Sequence, residues 1–354
     1  MIPYYILIFS PFLISLVRFT GQTDEQKRRM PVNLFFFLYL TMLMLRHVTV
    51  GHDLPGYATI FSRLGQIGWQ YVFRVDMEPA YVILNKLIYL FTDNFQWCIA
   101  IVSALIVIPI WYVYRKTSDD PLLSVSMFLI LPTFVMFFSG LRQSIAIGLG
   151  ALAFEMTRRK KLIPFLLVCA LATAFHYSAF ILLLMYPLYH ARITRAWLIA
   201  VIPAMGLIYL FNEPIFALIQ QLLSDYYEAE ITESGAYTML MLFVLFGIYS
   251  YLIPDEAQLD AETIGLRNLL LLSIAIQMFV PLNNLAMRMN YYYIIFIPLL
   301  LPKIHSARNA RWTQVARLAR YVMILYFLVY FFDHMPSGNI LDTFPYRFFG
   351  ENIV

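Results

Sequence analysis

The chain has 354 residues, 61% of them hydrophobic and 13% charged, with a formal net charge of +4. Those proportions, with a mean hydropathy of +0.71, exclude a soluble globule surrounded by water, because too few polar residues remain to cover its surface. A pI near 8.9 invites a nucleic-acid reading, but the basic residues alternate with apolar stretches as a topology signal, so no nucleic-acid partner is expected.

Apolar stretches near residues 3–19, 32–46, 96–114, 122–138, 143–157, 162–176, 178–190, 196–212, 237–253, 266–282, 289–302 and 320–333 predict an all-α, polytopic integral membrane protein. The chain reads as a single transmembrane domain over 1–354 with about twelve crossings. Several stretches fall short of the ~20 residues a bilayer favours, so neighbours can merge or turn back on themselves. The first lacks a basic leader region and an A-x-A-like site, and reads as a retained span. Lys27-Arg28-Arg29, Arg115-Lys116, Arg158-Arg159-Lys160-Lys161, Arg192 with Arg195, and the segment 303–320 lie between alternate pairs of stretches. The positive-inside rule places them in the cytoplasm and both termini outside.

Arg46, Arg63, Arg74, Lys86, Arg142, Arg288 and Arg347 are then left on the outer side. The outer segments are a loop over 46–95, a loop over 213–236 and a C-terminal tail over 334–354. Within the first, residues 80–91 are too short to cross and read as an interfacial or re-entrant helix. Cys98 and Cys169 sit inside apolar stretches and suit packing better than a disulfide or zinc. No metal-ligand spacing, P-loop, dinucleotide fingerprint or G-x-S-x-G elbow is present, and no metal or cofactor is expected.

The unusual residues gather on that outer side. Arg46-His47 precedes Gly51-His52-Asp53 and Pro55-Gly56-Tyr57, where glycine and proline predict a turn. Glu78-Pro79 opens the short helix, with proline suited to its first turn; the carboxylate can serve as a cap or as a functional group. Arg142-Gln143 starts a stretch in which Ala146 and Gly150 allow close approach of another helix or a lipid chain. An arginine at membrane depth costs several kcal/mol and calls for an anion, either a ligand phosphate or a partner such as Asp53 or Glu78. His176-Tyr177-Ser178 joins two stretches, and Asn283-Asn284 leads to Arg288 and to Tyr291, Tyr292 and Tyr293, which also suit an aromatic interface belt.

The ordered motifs Gly51-x-Asp53-x-x-x-Tyr57-x-x-x-Phe61, Glu78-Pro79-x-Tyr81, Leu141-Arg142-Gln143-x-Ile145-Ala146 and Phe175-His176-x-Ser178-Ala179 resemble the EpsG family, a branch of the Wzy-type polysaccharide polymerases. The similarity covers nearly the whole chain, including Pro345-Tyr346-Arg347-Phe348-Phe349; His52 departs from it, since relatives often carry a small or polar residue there.

The resemblance implies a membrane glycosyltransferase of exopolysaccharide, capsule or O-antigen assembly. It would join undecaprenyl-diphosphate-linked oligosaccharide repeat units at the outer leaflet of the bacterial inner membrane and release the lipid diphosphate. A flippase and a chain-length regulator of the same pathway are its candidate partners, besides membrane lipid. Arg142, His176, Asp53 and Glu78 map to catalytic positions, and Arg46, Tyr57, Gln143, Arg288 and Asn284 complete the expected diphosphate- and sugar-binding set. Arginines can stabilise a departing diphosphate without a metal, and a base among His176, Asp53 and Glu78 would give a single inverting displacement. A flippase or transporter of the lipid-linked oligosaccharide and a membrane acyltransferase are the competing readings.

Overall fold

A computed structural model describes residues 2–17, 23–223, 235–338 and 340–351. They are helical almost throughout; the extended backbone pairs only as two isolated bridges, Arg46 with Phe348 and Pro254 with Arg308. Helix α1 is Ile2–Leu16 and α2 is Asp24–Leu45, the latter opened by a reciprocal capping box between Thr23 and Gln26. Next come α3, Leu54–Gln66, and α4, Pro79–Tyr89, then the long α5, Phe95–Thr117. Helices α6 (Pro121–Ile130), α7 (Pro132–Ser139), α8 (Leu141–Arg158), α9 (Leu162–Phe175) and α10 (Met185–His190) form the centre of the chain. The rest are α11 (Leu198–Leu210), α12 (Asn212–Leu223), α13 (Gly235–Leu252), α14 (Ala261–Gln277), α15 (Asn284–Ile294), α16 (Ile297–Ser306) and α17 (Thr313–Gly338).

Among the described residues each expected apolar stretch is largely helical, but many are interrupted. Among the described residues two helices have the length and apolarity to cross a bilayer, or up to five if each sharply bent pair counts as one span. The stretch 122–138 divides into α6 and α7 at 63°, because Pro132 removes a backbone donor and holds Leu131 extended at ψ 139°. The α15–α16 stretch bends by 44°, and the segments flanking 191–194 meet at 119°. Outward faces remain apolar: Ile199 is 84% exposed and Ile163 72%, the pattern of a surface that meets lipid.

One part of the 46–95 segment differs from expectation. Pro55 and Gly56 lie in the first turn of α3 instead of forming a turn, because proline is well suited there and Leu54, Tyr57, Phe61 and Leu64 supply a buried helical stripe. The turn itself is made by Gly51, at φ +125°, where a Cβ would lie 2.0 Å from the Phe138 carbonyl oxygen. The short helix expected over 80–91 is α4. Residues 213–223 of the second segment belong to α12, while 224–234 lie outside the described residues, and α17 extends to Gly338, into the expected C-terminal tail.

Helix α8 organises the packing. Its close approach to α5 is made by Gly148, where a Cβ would meet the Leu105 carbonyl oxygen at 2.8 Å, so the backbone contact falls between the Ala146 and Gly150 of the small-residue motif. At its C-terminal end the buried Glu155 accepts from Lys116 at 2.5 Å, Arg158 at 2.8 Å and Arg159 at 2.6 Å. Arg158 also reaches Glu262 at 2.7 Å, tying α8 to α14. Cys98 and Cys169 are buried free thiols.

Gly51→Ala should destabilise the protein by more than about 1 kcal/mol, since both the backbone conformation and the space exclude a Cβ. Thermal unfolding of the detergent-purified variant checks this; an unchanged midpoint would show that this turn is not required.

Candidate functional site

The site begins where α7 gives way to α8. Gly140 separates the two helices and leaves Arg142 in the first turn of α8. The Gly51 turn packs against this break: Ser139 Oγ donates to Asp53 Oδ2 at 2.8 Å and lies 3.0 Å from the Asp53 amide. On its other side the turn is held by the C-terminal tail, with Gly51 N–H donating to Asp342 O at 3.1 Å and His52 N–H to Leu341 O at 2.9 Å. His52 Nδ1 also meets Asp342 Oδ2 at 2.8 Å on the surface.

A second break, between α9 and the 3-10 segment Tyr177–Leu184, places His176 in extended backbone. Its Nδ1 lies 2.8 Å from Glu78 Oε1, and Arg142 Nη1 donates to Glu78 Oε2. Glu78 is 3% exposed, so its charge needs both partners. Burial works against its ionisation, but the hydrogen bond from His176 and the Arg142 guanidinium prevail and hold the carboxyl at about 2. With Nδ1 donating to this carboxylate, a neutral His176 carries its lone pair on Nε2, and that atom is buried without a protein partner. Arg142 Nε reaches Tyr57 Oη at 3.4 Å, and the Arg142 side chain stays 31% exposed.

Tyr57, Arg142 and His176 line one cavity of about 710 Å³. Its wall includes Asp53, Tyr57, Arg142, Gln143 and His176, and from α15 Asn284, Arg288 and Tyr291. Gln143 Nε2 donates to the Arg288 carbonyl at 2.7 Å, fixing α15 to the start of α8. Two guanidinium groups, a buried imidazole and the α8 N-terminus thus share a space with one exposed carboxylate, Asp53, an arrangement that can bind an anion and accept a proton beside it. Among the described residues no group of three or more His, Cys, Asp or Glu is placed to hold a metal ion.

The model of the EpsG family matches residues 29–348. The chain belongs to the EpsG family. This is a family of Wzy-like polysaccharide polymerases, and with the apolar helices it makes the chain a membrane protein with a polysaccharide polymerase role. No curated protein and no solved structure matched the chain.

Of the residues that the EpsG motifs single out, Asp53, Arg142 and His176 line the cavity, and Glu78 stands directly behind the last two. Tyr57, Gln143, Asn284 and Arg288 line it as well. Arg46 does not: it is fully buried elsewhere, donating to Leu43 O and to Ser103 Oγ at 3.2 Å, with its guanidinium over the Phe138 ring. Its position directly after α2 turns its long side chain into the bundle. Lys86, another basic residue of that side, donates to the Leu64 and Ile67 carbonyls and so closes the end of α3.

The aromatic belt expected at Tyr291, Tyr292 and Tyr293 is not found. Tyr292 and Tyr293 are 0% and 1% exposed, the former 3.1 Å from Ser178 Oγ and the latter donating to Ile181 O at 2.6 Å, while Tyr291 faces the cavity. Ser139 and the Leu341–Asp342 rim are contributions that sequence reasoning missed. The serine beside Gly140 at a helix break was a usable signal for the first; nothing local marks the second.

Replacing Glu78 with alanine should destabilise the protein by about 3–5 kcal/mol, since it strands the buried His176 and the half-buried Arg142. Because the folded carboxyl is held at about 2, below its ordinary value, this contribution is complete above pH ~4.5 and is lost as pH falls toward 2. Denaturation of wild type and Glu78→Ala across that range checks both statements; a pH-independent difference would contradict them.

Proposed function

We propose that the protein joins undecaprenyl-diphosphate-linked oligosaccharide repeat units at the outer leaflet of a bacterial inner membrane, in exopolysaccharide, capsule or O-antigen assembly. The observation that carries this reading is the meeting of Arg142, Arg288 and His176 in the lining of one cavity, with Glu78 bonded to both Arg142 and His176. In this reading the chain crosses the membrane about twelve times with both termini outside, and the cavity opens to the outer face.

The growing chain on its lipid diphosphate is the donor, and a non-reducing sugar hydroxyl of the incoming repeat unit is the acceptor. The acceptor oxygen attacks the anomeric carbon, the bond from that carbon to the phosphate oxygen breaks, and the diphosphate leaves with the electron pair. His176 Nε2 takes the hydroxyl proton, with Glu78 holding the imidazole in the required tautomer as it becomes cationic. Glu78 therefore serves as a positioning residue instead of the base, since both its oxygens are engaged. The charge that builds on the leaving diphosphate meets the guanidinium groups of Arg142 and Arg288, so counter-charge comes from the protein without a metal. Attack from the face opposite the leaving group inverts the anomeric centre. Asp53, Tyr57, Gln143 and Asn284, which line the same cavity, bind sugar hydroxyls in this reading. A flippase supplies such a substrate and a chain-length regulator limits its product.

Purified protein given synthetic lipid-diphosphate repeat units should yield longer oligosaccharides and free lipid diphosphate. Unchanged substrate would favour a flippase or an acyltransferase. Arg142→Lys keeps the charge but removes the planar fork, and should lower the polymerisation rate about 10²–10³-fold. His176→Ala should lower it about 10²–10⁴-fold. Normal length ladders on lipid from both variants, at matched membrane levels, would refute these roles.

A further inference from the structure

A second cavity, of about 660 Å³, lies at the other end of α8. Arg142 marks the first end; Lys160, two residues beyond the last turn, marks the second, about 27 Å away for an 18-residue helix. Lys160, His190 and Arg192 line it, together with Thr194, Tyr189 and Ile264.

The charges around it are unequal in a specific way. Lys116, Arg158 and Arg159 are paired with Glu155, Arg158 and Lys303 with Glu262, and Arg195 and Arg267 with Glu256. Asp260 is committed to the α14 cap, accepting from the Thr263 amide at 2.7 Å. Lys160 and Arg192 have no ion-pair partner among the described residues, although carboxylates near them are already shared among several cations. Tyr189 is a separate observation. It is 4% exposed and wedged against Gly265, yet its hydroxyl is buried with no hydrogen-bond partner, a costly state unless a ligand completes it. His190 is held with its Nε2 3.0 Å from the Thr157 carbonyl, which ties this wall to α8.

We propose that this cavity is a phosphate-recognising site for the headgroup of an anionic membrane lipid, with Lys160 and Arg192 pairing with the phosphate and Tyr189 donating its hydroxyl. The surroundings favour a lipid over free phosphate. Helix α9 starts just past Lys160 and turns Ile163 and Leu167 outward, 72% and 66% exposed; α11 follows Arg192 and turns out Ile199 and Ile202, 84% and 64% exposed. A headgroup seated between them would lay its acyl chains along those apolar faces.

The site is tested by binding alone, independently of the proposed polymerisation. The full-length protein in neutral detergent is titrated with phosphatidylglycerol, with phosphatidylcholine and with inorganic phosphate, following thermal stabilisation and lipid adducts by native mass spectrometry. Phosphatidylglycerol should bind and stabilise in preference to phosphatidylcholine, and inorganic phosphate should have no comparable effect. Each basic residue contributes about fivefold near an anionic surface, so Lys160→Asn with Arg192→Gln should weaken phosphatidylglycerol binding about twenty-five-fold; asparagine is chosen because Lys160 has φ +56°. Tyr189→Phe alone, which leaves the packing in place, should also weaken phosphatidylglycerol binding. Equal binding of the two lipids, or undiminished binding by both the double variant and Tyr189→Phe, would overturn the proposal. Equal stabilisation by inorganic phosphate would overturn its lipid assignment.

Discussion

The arrangement of the cavity depends on one buried carboxylate. Glu78 is almost wholly withdrawn from solvent, and an unpaired carboxylate in such a place is not tolerated. Its two oxygens are divided between Arg142 and His176. The start of α4, the start of α8 and the end of α9 are therefore drawn to a single point by electrostatics. At the far end of α8 a second buried carboxylate, Glu155, collects three cations in the same manner, next to the negative end of the helix dipole. The central helix is thus secured at both ends by charge pairing, and along its length by apolar packing.

Broken helices explain why the functional groups are available at all. In a bilayer an interrupted helix is tolerated only where protein or a wet cavity satisfies the freed backbone. The α7–α8 break exposes Arg142 beside a helix N-terminus, and the α9 break turns His176 inward from extended backbone. Continuous spans would have hidden both. The same interruptions leave few helices long enough to qualify singly as crossings, so the irregularity that obscures the topology also builds the site.

The site residues were legible because charge in apolar surroundings is conspicuous: Arg142, His176, Glu78 and Asp53 all stood out, and three of them form one bonded group. What the sequence concealed were matters of direction and distance. Arg46 carries the same charge as Arg142, but directly after α2 its side chain turns into the core. Pro55-Gly56 has turn composition, yet the stripe of Leu54, Tyr57, Phe61 and Leu64 makes the segment a helix. Three successive tyrosines resembled an interface belt until helical geometry sent two of them into the protein. Hydropathy reports the existence of helices well, but it is blind to the bends that divide them.

The tail offers a last consequence. Phe348 bridges to Arg46, Tyr4 donates to the Thr343 carbonyl at 2.6 Å and stacks on Phe344 at 4.3 Å, and Leu341 stands on the cavity rim. The earliest and latest helical segments are thereby sewn together, and His52 meets a partner 290 positions away. During synthesis Arg142, Glu78 and His176 all emerge well before that wall exists. The Glu78 group can therefore form before the 341–348 segment has been made, and the wall around it closes only when that later segment packs back on the first helices, a long-range closure that couples completion of the cavity to a distant part of the chain.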